Sequence, residues 1–103
     1  MKTYTLRKSD RKEKKLMLID NETNKKIHFG ESEYMDYVKY IKRDGLEKAN
    51  NRKQLYTNRH KKEDKSQIKP ASLSQFILWN KPNLRDSIKD YEKKYRIKII
   101  NKV

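Results

Sequence analysis

The chain has 103 residues, 33% hydrophobic and 41% charged, with a formal net charge of +14. That length allows one domain with a thin core, and the absence of cysteine excludes disulfides, thiolate metal sites and cysteine nucleophiles. No window approaches the roughly 18 apolar residues of a spanning helix, and the opening MKTYTLRKSDRKEKK lacks the apolar stretch of a secretory signal, so a soluble chain without an export signal is expected.

The low apolar content suggests that part of the chain orders only against a partner. A 10% aromatic share with only two Gly and two Pro argues against full disorder. A pI near 9.9 makes nucleic acid, an anionic membrane surface or an acidic protein the candidate partners. Positive charge comes in three blocks, residues 1–15, 42–65 and 81–103, each netting +5, separated by residues 16–41 at −2 and 66–80 at +1.

In chain order, residues 1–15 read as a basic arm or edge strand containing Thr3-Tyr4-Thr5-Leu6. Leu16 to Ile19 and Lys26 to Gly30 read as strands joined by the turn residues Asp20 to Asn24, giving a small antiparallel meander that needs a helix across one face. Ser32 is the expected N-cap of a helix whose stripe is Tyr34, Tyr37, Val38 and Ile41, with Glu33 and Asp36 in its first turn and Asp44-Gly45 at its end. A second, largely exposed helix runs from Leu46 to about Lys62, with Lys53 in its sparse apolar stripe of Leu46, Ala49 and Tyr56. The meander and these two helices fill residues 16–62.

Glu63 to Gln67 is a loop, and Ser72-Leu73-Ser74-Gln75 has the spacing of a capping box that would start a short helix ending at Trp79. Lys81-Pro82 stops it, and Asn83 caps a helix with the stripe Leu84, Ile88, Tyr91 and Tyr95. Residues 72–95 thus form a helical hairpin with Trp79 at its corner, there either as core or as a partner-facing anchor together with Asn80, Lys81 and Pro82. Residues 96–103 read as a last strand or a tail, with Ile97 and Ile99 on one face. The fold class expected is α+β: a single domain in which the N-terminal meander packs with three or four helices.

The strongest basic stretch holds Arg52, Lys53, Arg59, His60, Lys61 and Lys62. On a helix Arg52, Arg59 and, one turn on, Lys62 fall near one another with Tyr56 between, an arrangement suited to tracking phosphates rather than reading bases. A solvated helix face is the plain alternative. His28 and His60, the two histidines, do not make a metal site. Gly30 and Gly45 cannot build a phosphate loop, and neither a nucleophile elbow nor an isolated acid pair is present. No cofactor, metal or enzymatic activity is expected.

The ordered set His28-Phe29-Gly30, Asp36-Tyr37, Tyr56 to Glu63, Leu78-Trp79-Asn80-Lys81-Pro82 and Ser87-Ile88-Lys89-Asp90 resembles a family of small basic proteins of unknown function encoded by nucleocytoplasmic large DNA viruses. The resemblance spans about residues 27–95 and carries no catalytic residues. It implies a viral source and a place in the virion, with passage through the host cytoplasm or nucleus. Two roles follow as expectations: a non-enzymatic virion protein that contacts nucleic acid, most simply DNA, through the phosphate backbone, or a minor capsid adaptor that binds acidic surfaces of larger coat proteins with its basic termini ordered only in the assembly.

Overall fold

Short runs of apolar and β-branched residues build the N-terminal third. In the computed structural model, which describes residues 1–103, the strands are β1 (Thr3–Lys8), β2 (Lys14–Asp20) and β3 (Lys26–Glu31). Both pairings are antiparallel, with Leu6 opposite Leu18 and Leu16 opposite Phe29. Those four side chains are buried in one core, whereas Thr5, Ile19, Met17 and His28 fall on the other side of the pleat. Asp20 closes the β2–β3 turn, its Oδ1 accepting from Glu22 N at 2.9 Å, and Asn24 takes a positive φ of 61°.

A fourth strand, β4 (Lys98–Asn101), lies parallel to β1 with Tyr4 opposite Ile99, giving the order β3-β2-β1-β4. Residues 3–8 are therefore an inner strand rather than an arm or an edge. Both termini gain order from each other, through Lys98 N donating to Lys2 O at 2.9 Å and Lys102 N to Leu6 O at 2.8 Å. On the outer side of β4, Ile99 N donates to Glu92 Oε2 at 2.8 Å, which satisfies a group that an open edge would leave bare.

The helices are α1 (Tyr37–Asp44), α2 (Leu46–His60), α3 (Pro70–Leu73), which runs into a π-helical turn at Ser74–Leu78, and α4 (Leu84–Tyr95). α1 begins later than its sequence suggests, because Asp36 and not Ser32 is the N-cap. Asp36 Oδ1 accepts from Lys39 N at 3.1 Å while Oδ2 accepts from Lys15 Nζ at 3.1 Å, and a charged acceptor outcompetes a hydroxyl. Ser32 N instead donates to Glu13 O at 2.9 Å, which leaves Tyr34 outside the helix.

α3 also starts away from its expected point. Pro70 occupies its first turn, and Ser72, expected as the cap, sits inside the helix and fully buried. Its Oγ accepts from Lys69 N at 3.2 Å and lies 2.7 Å from Gln67 O and 2.9 Å from Tyr91 Oη. The π turn closes with Trp79 N donating to Ser74 O at 3.2 Å.

From Asn83 onward the fold follows its sequence closely. Asn83 Oδ1 accepts from Asp86 N at 2.8 Å, and Ile88 and Tyr91 are buried on the inner face of α4. Arg96 ends α4 in the left-handed region at φ 54°. Ile97 and Ile99 enter the core beside Tyr4 and Tyr91. No helix is long and apolar enough to cross a membrane.

Candidate nucleic-acid interface

α2 carries two faces of different character. Ala49 is fully buried and Lys53 and Thr57 are half-buried on the inner side. Arg52, Leu55, Tyr56 and Arg59, at i, i+3, i+4 and i+7, form a stripe along a cleft of about 1080 Å³. Across that cleft stand the loop before α1, with Tyr34 and Met35, and the start of α3, with Lys69, Pro70 and Ala71.

Electrostatics single out two groups in it. Four carboxylates line the cleft: Glu31 pairs with Lys14 at 2.6 Å, Asp36 with Lys15 at 3.1 Å and Asp64 with Lys69 at 3.0 Å, and Glu63 Oε1 lies in hydrogen-bond contact with His60 Nδ1 at 2.9 Å. Hydrogen bonds from the Ser66 hydroxyl and backbone N–H, and then from Lys69, hold the Asp64 carboxyl well below the ordinary carboxylate range. Arg52 and Arg59 are the lining cations that form no salt bridge, although the Arg52 charge is felt by Asp44. Seven residues of helix separate them by about 10 Å along the axis.

An aromatic column supports this stripe. Trp79, 8% exposed, stacks on Tyr56 with centroids 4.8 Å apart and planes 10° apart. Tyr40 of α1 lies 5.8 Å from Trp79, and His60 lies 4.3 Å from Tyr56 on the far side. Arg52 rests over the Tyr40 ring at 5.5 Å, a contact that fixes a guanidinium without neutralising it. Trp79 thus meets α1 and α2 as core, where the sequence placed it over the ends of its own hairpin. Burial pushes the Tyr56 phenol above its ordinary pKa.

The other expected site residues divide between fold and solvent. Lys53 Nζ donates to Asn80 O at 2.7 Å and sits 5.0 Å from the Tyr37 ring centroid. Burial, followed by the Lys81 charge, lowers its ammonium pKa, so Lys53 tethers α2 to the turn after Trp79. Asn80 Nδ2 donates to Asp90 Oδ2 at 2.7 Å, and Lys81 N donates to buried Ser87 Oγ at 3.0 Å. Asn80 is a bracket between helices, while the Lys81 and Pro82 side chains are exposed. Lys61 and Lys62 are exposed beyond the end of α2, so Lys62 does not continue the Arg52 and Arg59 row into the cleft.

Sequence reasoning missed Tyr34, Leu55, Lys14, Lys15 and Lys69 as members of this site. Leu55 was detectable from its spacing to Arg52 and Arg59; the others come from distant elements that local patterns do not join. No group of three or more His, Cys, Asp or Glu is placed to hold a metal ion.

Residues 4–43 match the model of a family of unknown function (DUF5754). No curated protein and no solved structure matches the chain. The matched segment covers the three-stranded meander, the Tyr34 loop and nearly all of α1, and it stops before α2. It therefore takes in one wall of the cleft and not the arginines of the other.

Proposed function

We propose that the chain is a non-enzymatic basic protein that binds nucleic acid through its phosphate backbone, within the virion of a large DNA virus. One observation carries the binding: Arg52 and Arg59 line one cleft without a salt bridge of their own, while three of its four carboxylates pair with lysines. Two guanidiniums in one row, without carboxylate partners and lining one cleft, offer forked donors of the shape that suits phosphate. Lys61 and Lys62, exposed just past the helix end, extend the same positive surface. Only six of the 28 lysines and arginines lie in ion pairs, so the whole molecule attracts a polyanion before any local contact forms.

The virion setting rests on the resemblance of residues 27–95 to small basic viral proteins. Residues carrying that resemblance have fold-building partners nearly throughout: Phe29 in the core, Asp36 as a cap, Trp79 against Tyr56, Asn80 with Asp90 and Lys81 with Ser87. Arg59, Lys61 and Lys62 form no ion pair and are free for a partner.

Binding to random-sequence DNA, followed by fluorescence anisotropy across salt concentrations, tests this function. Tight binding that weakens steeply between about 50 and 200 mM salt is expected, since each neutralised phosphate releases counterions. Flat salt dependence would contradict it, and retention in the protein shell after DNA is stripped from particles would favour the capsid-adaptor role instead.

A further inference from the structure

The cleft offers more than charge. Tyr34 is 70% exposed and Leu55 is 55% exposed. Large apolar groups left open to water are informative when they cluster beside polar groups, and both of these border the cleft that holds the unpaired Arg52 and Arg59. Met35, Pro70 and Ala71 continue its apolar walls. The Tyr56 and Trp79 rings are already stacked on each other, which leaves Tyr34 as the aromatic free to receive another ring.

We propose that this cleft is a binding site for single-stranded nucleic acid, with an unstacked base against Tyr34 and Leu55 and the flanking phosphates on Arg52 and Arg59. The proposal rests on the backbone-binding function above and adds strandedness to it. A duplex shows only base edges in its grooves, so its base faces cannot reach an apolar wall, whereas a single strand turns bases outward onto aromatic side chains while cations follow its backbone. A volume of about 1080 Å³, at the upper end of small-ligand pockets, admits a short piece of one strand and excludes a double helix. Lys61 and Lys62, outside the recess, would be left to contact duplex phosphates.

The test measures binding of the full chain to a single-stranded random-sequence oligonucleotide and to the matching duplex at one salt concentration, with Tyr34→Ala as the variant. Tyr34 is mostly exposed and outside every helix and strand, so its loss leaves the fold intact. Single-strand affinity about tenfold or more above duplex affinity is expected, with Tyr34→Ala weakening single-strand binding roughly five- to a hundredfold and duplex binding hardly at all. Equal affinity for the two forms, or no effect of Tyr34→Ala, would overturn the single-strand site and leave backbone binding standing. Polyglutamate displacing the oligonucleotide as readily as unlabelled single strand would also overturn it, because that polymer has no base to stack. Binding to neither form would remove both proposals.

Discussion

Single side chains divide cleanly into those that hold the fold and those left for a partner. Trp79 belongs to the first group: it is buried between Tyr40 and Tyr56, and Trp79→Ala is expected to cost about 3 to 5 kcal/mol in a denaturant titration. Unchanged stability with lost binding would show it to be an anchor instead. Gly30 belongs there too. Its φ is 79°, and a Cβ at that position would meet Leu78 Cδ1 at 2.6 Å, so even alanine must strain the backbone and displace a core leucine. Arg59 belongs to the second group. Arg59→Ala is expected to leave the melting temperature within about 0.5 kcal/mol equivalent of the parent while weakening DNA binding, a dissociation that a structural arginine would not give.

At the scale of elements, the inner place of β1 and its parallel pairing with β4 join the two ends of the chain and have no local signal, whereas β2, β3 and α4 were legible because theirs are local: short apolar runs, the Asp20 to Asn24 turn, and an Asn83 cap ahead of a regular stripe. The starts of α1 and α3 were not. Ser32 and Asp36 are both competent caps, and what selects Asp36 is Lys15, reaching from β2; Ser72 reads as a cap until Tyr91, 19 residues on, takes its hydroxyl into the core. The cationic stripe of α2 was visible in sequence, but not the ion pairs around it. Lys14, Lys15 and Lys69, which pair with three of the cleft's four carboxylates, lie far from Arg52 in the chain. Ser72→Ala tests the buried junction between α3 and α4. Removing this hydroxyl leaves Lys69 N and Tyr91 Oη without a partner, and a loss of about 1 to 3 kcal/mol is expected from chemical denaturation.

For the whole molecule, a radius of gyration of 13.3 Å matches that of a folded chain of about 100 residues. Several of its acids are held by hydrogen bonds that favour their charged form. Asp10, Asp20, Asp44 and Asp64 have lowered pKa values, chiefly through hydrogen bonds from Lys26, Lys2, Arg43 and Ser66 respectively. A folded-state pKa below the unfolded value adds stability that is full above the ordinary carboxylate range and lost as pH falls through it. The melting temperature is therefore expected to hold from pH 7 to about 5 and to drop below about 4, as followed by circular dichroism. A rise on acidification would contradict this assignment.

The measurement that bears most directly on nucleic-acid binding is the salt dependence of DNA affinity in the Arg52→Ala/Arg59→Ala double variant, beside the parent and a Lys89→Ala/Lys93→Ala control. The control removes two exposed charges from α4 and lowers the net charge equally. Phosphate contact at α2 gives a plot of log affinity against log salt that is shallower by roughly two in the arginine variant and barely changed in the control. Equal losses in the two variants would mean that net charge alone attracts the DNA, and that the cleft is not where it binds.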